Sequence, residues 1–331
     1  MKSTTRVLSV LTITGVTALS VFPLVAAPAS AVTSSSAAAS SSALTVKQVS
    51  TLAQYNAANG EYPENIVAAP DGSITVSWLG SRTGYGRSGL VRVAPDGSQT
   101  VLAILPDGSK VGGLARAADG TLYFNNKSEN ADLAGFWKLS PGGTPERIAA
   151  LPTNATPNGL AIDESTGRLY ATDFALGLIW GASLTDGAPA TVWYEDSRLL
   201  PPTPGSFGAN GLKLQNGELW ISTTSAGVLY RLPISPLGTP GEMVAAVTGL
   251  NGIDDFSFIG NTGVIAAANN AGSRVDLIYP DGTTKTILSS ADGLDGTTST
   301  AVIGNKLYAN NFGTSTGQPS TVVATLNLKA L

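Results

Sequence analysis

Six short stretches of this chain share one outline, and at one position of it they carry Glu64, Gly112, Asn158, Asn210, Asp254 and Thr298. Four of these side chains end in a carboxylate or carboxamide oxygen. The chain has no histidine and no cysteine. A Ser-His-Asp triad, a histidine dyad and a zinc site built from the usual nitrogen and sulfur donors are therefore excluded. What remains is a set of hard oxygen donors. Such a set suits calcium, which takes roughly six to eight oxygens and lets water or substrate complete the shell. Glu64 and Asp254 together match the charge of a divalent ion in a partly desolvated mouth. The expected metal ligands are Glu64, Asn158, Asn210 and Asp254.

These residues need elements that bring them together. The clearest copy of the outline starts at Pro157-Asn158-Gly159 and runs on to Asp163. A turn follows, and then Arg168 to Asp173. Copies recur at a spacing of about 45 residues, each holding short alternating strands, which is the signature of a propeller blade. The expected fold is all-β: a six-bladed β-propeller of four-stranded antiparallel blades. In the third unit the strands are expected at 159–162, 169–173, 177–182 and 190–194. Innermost strands ring the axis, so the aligned column should converge on the mouth of the central channel. The sixth unit ends without a fourth strand. Leu44 to Leu52 is expected to supply it, so that the ring is closed by an N-terminal strand and keeps no unpaired edge.

Antiparallel succession sorts the connections onto two faces. Short Asp-Gly and Asn-Gly turns share one. Longer loops, among them 80–88, 127–133, 195–208 and 313–320, share the other, and binding usually sits on long loops raised on a rigid scaffold. On that face the second strands end in Asn125, Asn126, Asp173, Thr223, Asn269, Asn270, Asn310 and Asn311. These either bind substrate and water or cap strand ends. Asp173 is the only acid among them and is the candidate base. Trp78, Trp180 and Trp220 fall inside strands and are expected to pack between blades. Tyr85, Trp193 and Tyr194 are candidates for the pocket wall.

Lys2 and Arg6, an apolar run over 7–27 and Ala29-Ser30-Ala31 read as a secretory signal over residues 1–31. The Ser/Ala-rich segment 32–43 reads as a disordered spacer, and the propeller domain as 44–331. The expected location is secreted. Formal charge is −4, so no basic surface recommends nucleic acid, or a membrane once the signal is cleaved. A monomer acting on a small molecule is expected.

The blade pattern, with Glu64, Asn158, Asn210 and Asp254 in blades one, three, four and five, resembles the regucalcin/gluconolactonase family and its relative diisopropylfluorophosphatase. That resemblance implies a calcium-dependent hydrolase whose matching residues hold the ion deep in the channel, against a lactone carbonyl or phosphoryl oxygen. Asn65-Ile66 stands where family members usually carry Gly-Pro. Blade five offers Asp254 and Asp255, and strand alternation favours Asp254 as the inward ligand. The expected activity is hydrolysis of a small ester, foremost a lactone, with Asp254 as nucleophile or proton acceptor, or Asp173 as base. The alternative is a non-catalytic, calcium-stabilised propeller that binds a peptide, a glycan or an exported protein. A strictosidine-synthase-like activity needs a late glutamate, and none follows Glu242.

Overall fold

The computed structural model describes residues 44–80 and 86–328. The signal, the spacer and Tyr85 lie outside the described residues. Six four-stranded antiparallel sheets follow one another along the chain. Their innermost strands are Pro63–Ala68, Lys110–Arg116, Pro157–Asp163, Ala209–Gln215, Ile253–Phe258 and Thr297–Ile303. Each packs against the innermost strand of the next blade, and the last against the first, so the ring is complete. In the third blade the strands run Pro157–Asp163, Arg168–Asp173, Leu178–Ser183 and Thr191–Glu195, within two residues of the sequence reading.

The sixth sheet is closed by the other end of the chain. Thr45–Gln54 pairs antiparallel with Ser320–Asn327 and takes the outermost place in the blade. The stretch Leu44 to Leu52 thus supplies the expected strand, and Ser320–Asn327 keeps no free edge on that side.

Apolar side chains fill the space between neighbouring sheets. Tyr170 and Ile179 of blade three meet Leu212, Leu219 and Ile221 of blade four, all fully buried. Across the closure, Ala53, Tyr55, Ile66 and Trp78 meet Ala301 and Tyr308. Trp78 packs edge-on to Tyr55, with ring centroids 5.9 Å apart, and Trp220 edge-on to Phe258 at 5.5 Å. Both are packing residues, as their place in strands implied.

Every innermost strand breaks register at the same place. The slips fall between Pro63 and Ile66, Val111 and Leu114, Pro157 and Leu160, Ala209 and Leu212, Ile253 and Phe256, and Thr297 and Ser299. Such bulges re-aim side chains and leave backbone groups without ladder partners. A buried group left that way costs about 1–3 kcal/mol. Here the second strands supply the partners. Ser77 Oγ accepts from the Asn65 amide of its own blade and donates to the Gly112 carbonyl of the next. Asn125 does the same between Gly113 and Asn158, and Ser222 between Gly211 and Asp254. Thr172 donates to the Asn210 carbonyl and Asn310 to that of Asn65. Blade five has Ala268 at this position and makes no such link. Five side chains thus latch bulge to bulge around the axis.

The glycine after each asparagine serves this packing. A Cβ on Gly159 would lie 2.4 Å from the Asn210 carbonyl oxygen, and one on Gly211 would lie 2.8 Å from Asp255 Cα. Neither glycine has positive φ. Asn-Gly here marks close approach of two innermost strands.

Candidate functional site

The bulges place the aligned column at the floor of one cavity of about 690 Å³, a size suited to a small organic ligand. All six members, Glu64, Gly112, Asn158, Asn210, Asp254 and Thr298, line it. Above them runs a second ring made by the last residue, or the residue just after the end, of each second strand: Leu79, Lys127, Phe174, Thr224, Asn270 and Phe312. The loop between blades three and four adds Phe207 to the wall, and a loop within blade six adds Thr314. The cavity therefore opens on the long-loop face.

Glu64 and Asp254 both stand on this floor, close enough for the charge of Glu64 to act on Asp254. Burial pushes the Glu64 carboxyl up to about 7; a hydrogen bond from Asn158, 3.3 Å from Nδ2 to Oε1, opposes the rise, and the charge of Asp255 adds to it. Asp254 is raised well above the carboxylate range, first by burial and then by the charges of Glu64 and Asp255. Hydrogen bonds from Asn210 and Asn270 offset only part of that. Among the described residues neither acid belongs to an ion pair.

Asp255 is different. It lies beneath the floor, accepting from Lys213 Nζ at 2.7 Å, Asn65 Nδ2 at 2.8 Å and Ser299 Oγ at 2.8 Å. It does not line the cavity. Asp254 is the acid presented to a ligand, and Asp255 ties blades one, four, five and six together below it.

The residues fit calcium on the chemistry of the donor set. Asn210 Oδ1 is buried without a hydrogen-bond partner, while its Nδ2 is fixed on Thr224 Oγ1 at 3.0 Å. An acceptor left bare beside a buried carboxylate, Asp254, is complementary to a hard cation. Among the described residues no three charged or sulfur ligands gather as a cage. What gathers is two carboxylates, Glu64 and Asp254, and two carboxamides, Asn158 and Asn210.

Asp173 is not brought to this site. It is fully buried and absent from the cavity wall. Its carboxylate accepts from the Thr156 amide and hydroxyl, the Ala175 and Leu176 amides and Trp180 Nε1. With five donors on it, Asp173 anchors a loop and has no free lone pair to serve as the base. Asn125, Asn126, Asn269, Asn310 and Asn311 are likewise spent on backbone groups and neighbouring side chains. Of that second set only Asn270 reaches the cavity. The rim was misread by one residue, because the side chain that follows each latch position points between blades and the next one faces the axis. Trp193 and Tyr194 sit on an outermost strand, bonded to the Gly238 carbonyl and to Asp196, away from the cavity.

No protein-family model and no curated protein matches the chain. Solved structures do. A candidate gluconolactonase superposes with TM-score 0.62 at 18% identity, covering 85% of this chain and 92% of its own. The calcium-binding protein regucalcin from Agrobacterium tumefaciens gives 0.59 at 16%, covering 83% and 92%. The chain has the fold of these propellers. A chain of a nidogen–laminin complex also matches, with TM-score 0.54 at 19% identity over 74% of this chain and 84% of that one. The architecture thus serves proteins of more than one kind.

Proposed function

We propose that the protein is a secreted, calcium-dependent hydrolase of a small ester, foremost a lactone. The observation that carries this reading is the convergence of Glu64, Asn158, Asn210 and Asp254 at the cavity floor, with Asn210 Oδ1 left bare. The fold shared with a calcium-binding regucalcin and a candidate gluconolactonase supports it. Glu64 and Asp254 would hold the ion by charge, Asn158 and Asn210 by their amide oxygens. Bound there, calcium would supply a Lewis acid that polarises the acyl carbonyl and stabilises the developing oxyanion.

The chain's own groups do the rest. Asp254 is positioned to attack the acyl carbon or to take a proton from water, since Asp173 is spent elsewhere. Asn270 and Asn210 orient its carboxylate. Phe174, Phe207 and Phe312 wall the cavity and limit water around the reacting ester. Net reaction adds water across the acyl C–O bond, which gives a hydroxy acid from a lactone.

The test is elemental analysis of protein never exposed to chelator, then a panel of lactones and aryl esters with chelator, calcium or magnesium. Calcium-restored hydrolysis supports the reading. Absence of both bound calcium and a calcium-induced rise in melting temperature overturns the metal. A calcium effect on stability without turnover of any member of the panel favours the alternative of a calcium-stabilised binding propeller.

A further inference from the structure

We propose that Lys110 and Lys127 form an anion subsite on the blade-two side of the cavity, and that the ligand carries a carboxylate beside a flat apolar group. For the word ester this rests on the hydrolase reading. The subsite itself stands on separate observations.

Lys110 opens the innermost strand of blade two and Lys127 closes the second; they are direct register partners, and both line the cavity. Like charges opposite each other on paired strands are destabilising. The other blades avoid the conflict at these positions. They carry Tyr62 with Leu79, Thr156 with Phe174, Gly208 with Thr224, Gly252 with Asn270, and Gly296 with Phe312. Among the described residues neither lysine forms an ion pair, whereas Lys138 and Lys213 each meet a carboxylate.

Both lysines are half-buried. Burial, then the charge of Lys110, holds Lys127 below the usual lysine range, and the charges of Asp173 and Glu129 oppose this only in part. Asp173 is engaged by its own five donors. Two cations are therefore held together in a recess with no carboxylate bonded to either.

The adjoining wall is aromatic. Lys127 Nζ lies 5.5 Å from the centre of the Phe174 ring, and Phe174 lies 5.6 Å from Phe207. Phe207 keeps half of its surface exposed, at 51%. A ligand that seats its carboxylate between the lysines lays a neighbouring ring on Phe174 and Phe207. It can then extend to the floor acids from the opposite side. An anion shared by two opposed cations relieves their repulsion, which gives the pair a selective role that a single lysine lacks.

The test uses two matched pairs of probes with full-length mature protein in calcium. By calorimetry, 3-phenylpropionate should bind at least about tenfold tighter than 3-phenylpropionamide, the size of one charge-assisted hydrogen bond. The preference should vanish in K110Q/K127Q and survive in K110R/K127R. Relief of repulsion should leave the glutamine variant with an unchanged or higher melting temperature, which separates loss of the subsite from misfolding. For turnover, the kcat/KM ratio of 4-acetoxybenzoate to 4-acetoxybenzamide should fall about tenfold in the glutamine variant. A carboxylate preference that persists in K110Q/K127Q and disappears with chelator would place the anion on the metal and overturn the subsite. Equal binding of acid and amide to the wild type would overturn it too. If neither ester is hydrolysed while the lysine-dependent preference holds, the subsite stands and the hydrolase reading falls.

Discussion

Lys213 Nζ lies 2.7 Å from Asp255 Oδ2, so one acid of the adjacent pair in blade five is neutralised while Asp254 is left for a ligand. The pair is buried, with the Asp255 side chain 2% and that of Lys213 21% exposed. Lys213→Met would strand a carboxylate in the channel. We expect a stability loss of about 3 kcal/mol by chemical denaturation, the usual result of breaking a buried pair from one side. Calcium should bind the variant more tightly, because a nearby cation has gone. Unchanged stability would mean that Asp255 is held by Asn65 and Ser299 alone.

Glu64→Gln and Asp254→Asn should both weaken calcium binding, since each removes ligand charge. Only Glu64→Gln should regain hydrolysis at saturating calcium, because added metal restores occupancy but not a lost nucleophile or proton acceptor. Steady-state rates across a calcium titration decide this, and full recovery of Asp254→Asn would remove Asp254 from the chemistry.

Asp173→Asn should act on stability and leave the calcium requirement alone. An amide there sets one NH2 against the Thr156, Ala175, Leu176 and Trp180 donors. A loss of about 2–3 kcal/mol is expected by urea unfolding. Normal stability with a slowed rate would restore it as a base.

The pH dependence has an unusual sign. The folded Glu64 carboxyl titrates near 7 against 4.5 for the ordinary group, and Asp254 is also raised. A raised pKa contributes stability that is present below the unfolded value and lost as pH climbs through the folded one. Without calcium, the melting temperature should fall as pH rises from about 5.5 to 8, and the gain from calcium should be largest at the upper end. With no histidine in the chain, no imidazole titrates in that window. A flat profile in chelator would show that burial does not raise the two carboxyls.

Truncation separates the spacer from the closing strand. Removal of residues 1–43 should leave the melting temperature unchanged, whereas removal through Gln54 should lower it sharply, because Thr45–Gln54 is the partner of Ser320–Asn327. Differential scanning calorimetry on the two truncations gives the answer.

The blades and the floor column were legible in sequence because both are local. Strand period, turn residues and the repeated Asn-Gly each sit inside one unit. What was not legible joins units. The latch from Ser77 to Gly112, or from Ser222 to Asp254, spans a whole blade, and nothing near Ser77 names its partner. Alternation along the strand also misleads at a bulge, where both members of Asp254-Asp255 are turned toward the axis at different depths. The rim differs for another reason: alternation holds on the second strand but continues one residue past its end, so Phe174 rather than Asp173 lines the cavity. The lysine pair was within reach, because aligning the ends of the first two strands in each blade puts Lys110 against Lys127.

The closing strand also sets an order of events. Thr45–Gln54 leaves the ribosome before the six innermost strands, yet its sheet neighbour Ser320–Asn327 is the last of the described strands to be made. Local hairpins can form as they emerge, but the contact of highest sequence separation must wait for the whole chain. Glu64 in blade one and Asp254 in blade five are brought to one cavity on either side of blade six by that same closure. A nascent or prematurely ended chain therefore holds its acids apart and has no site to load. Pairing of Thr45–Gln54 with Ser320–Asn327 is therefore the step that readies the floor for a ligand.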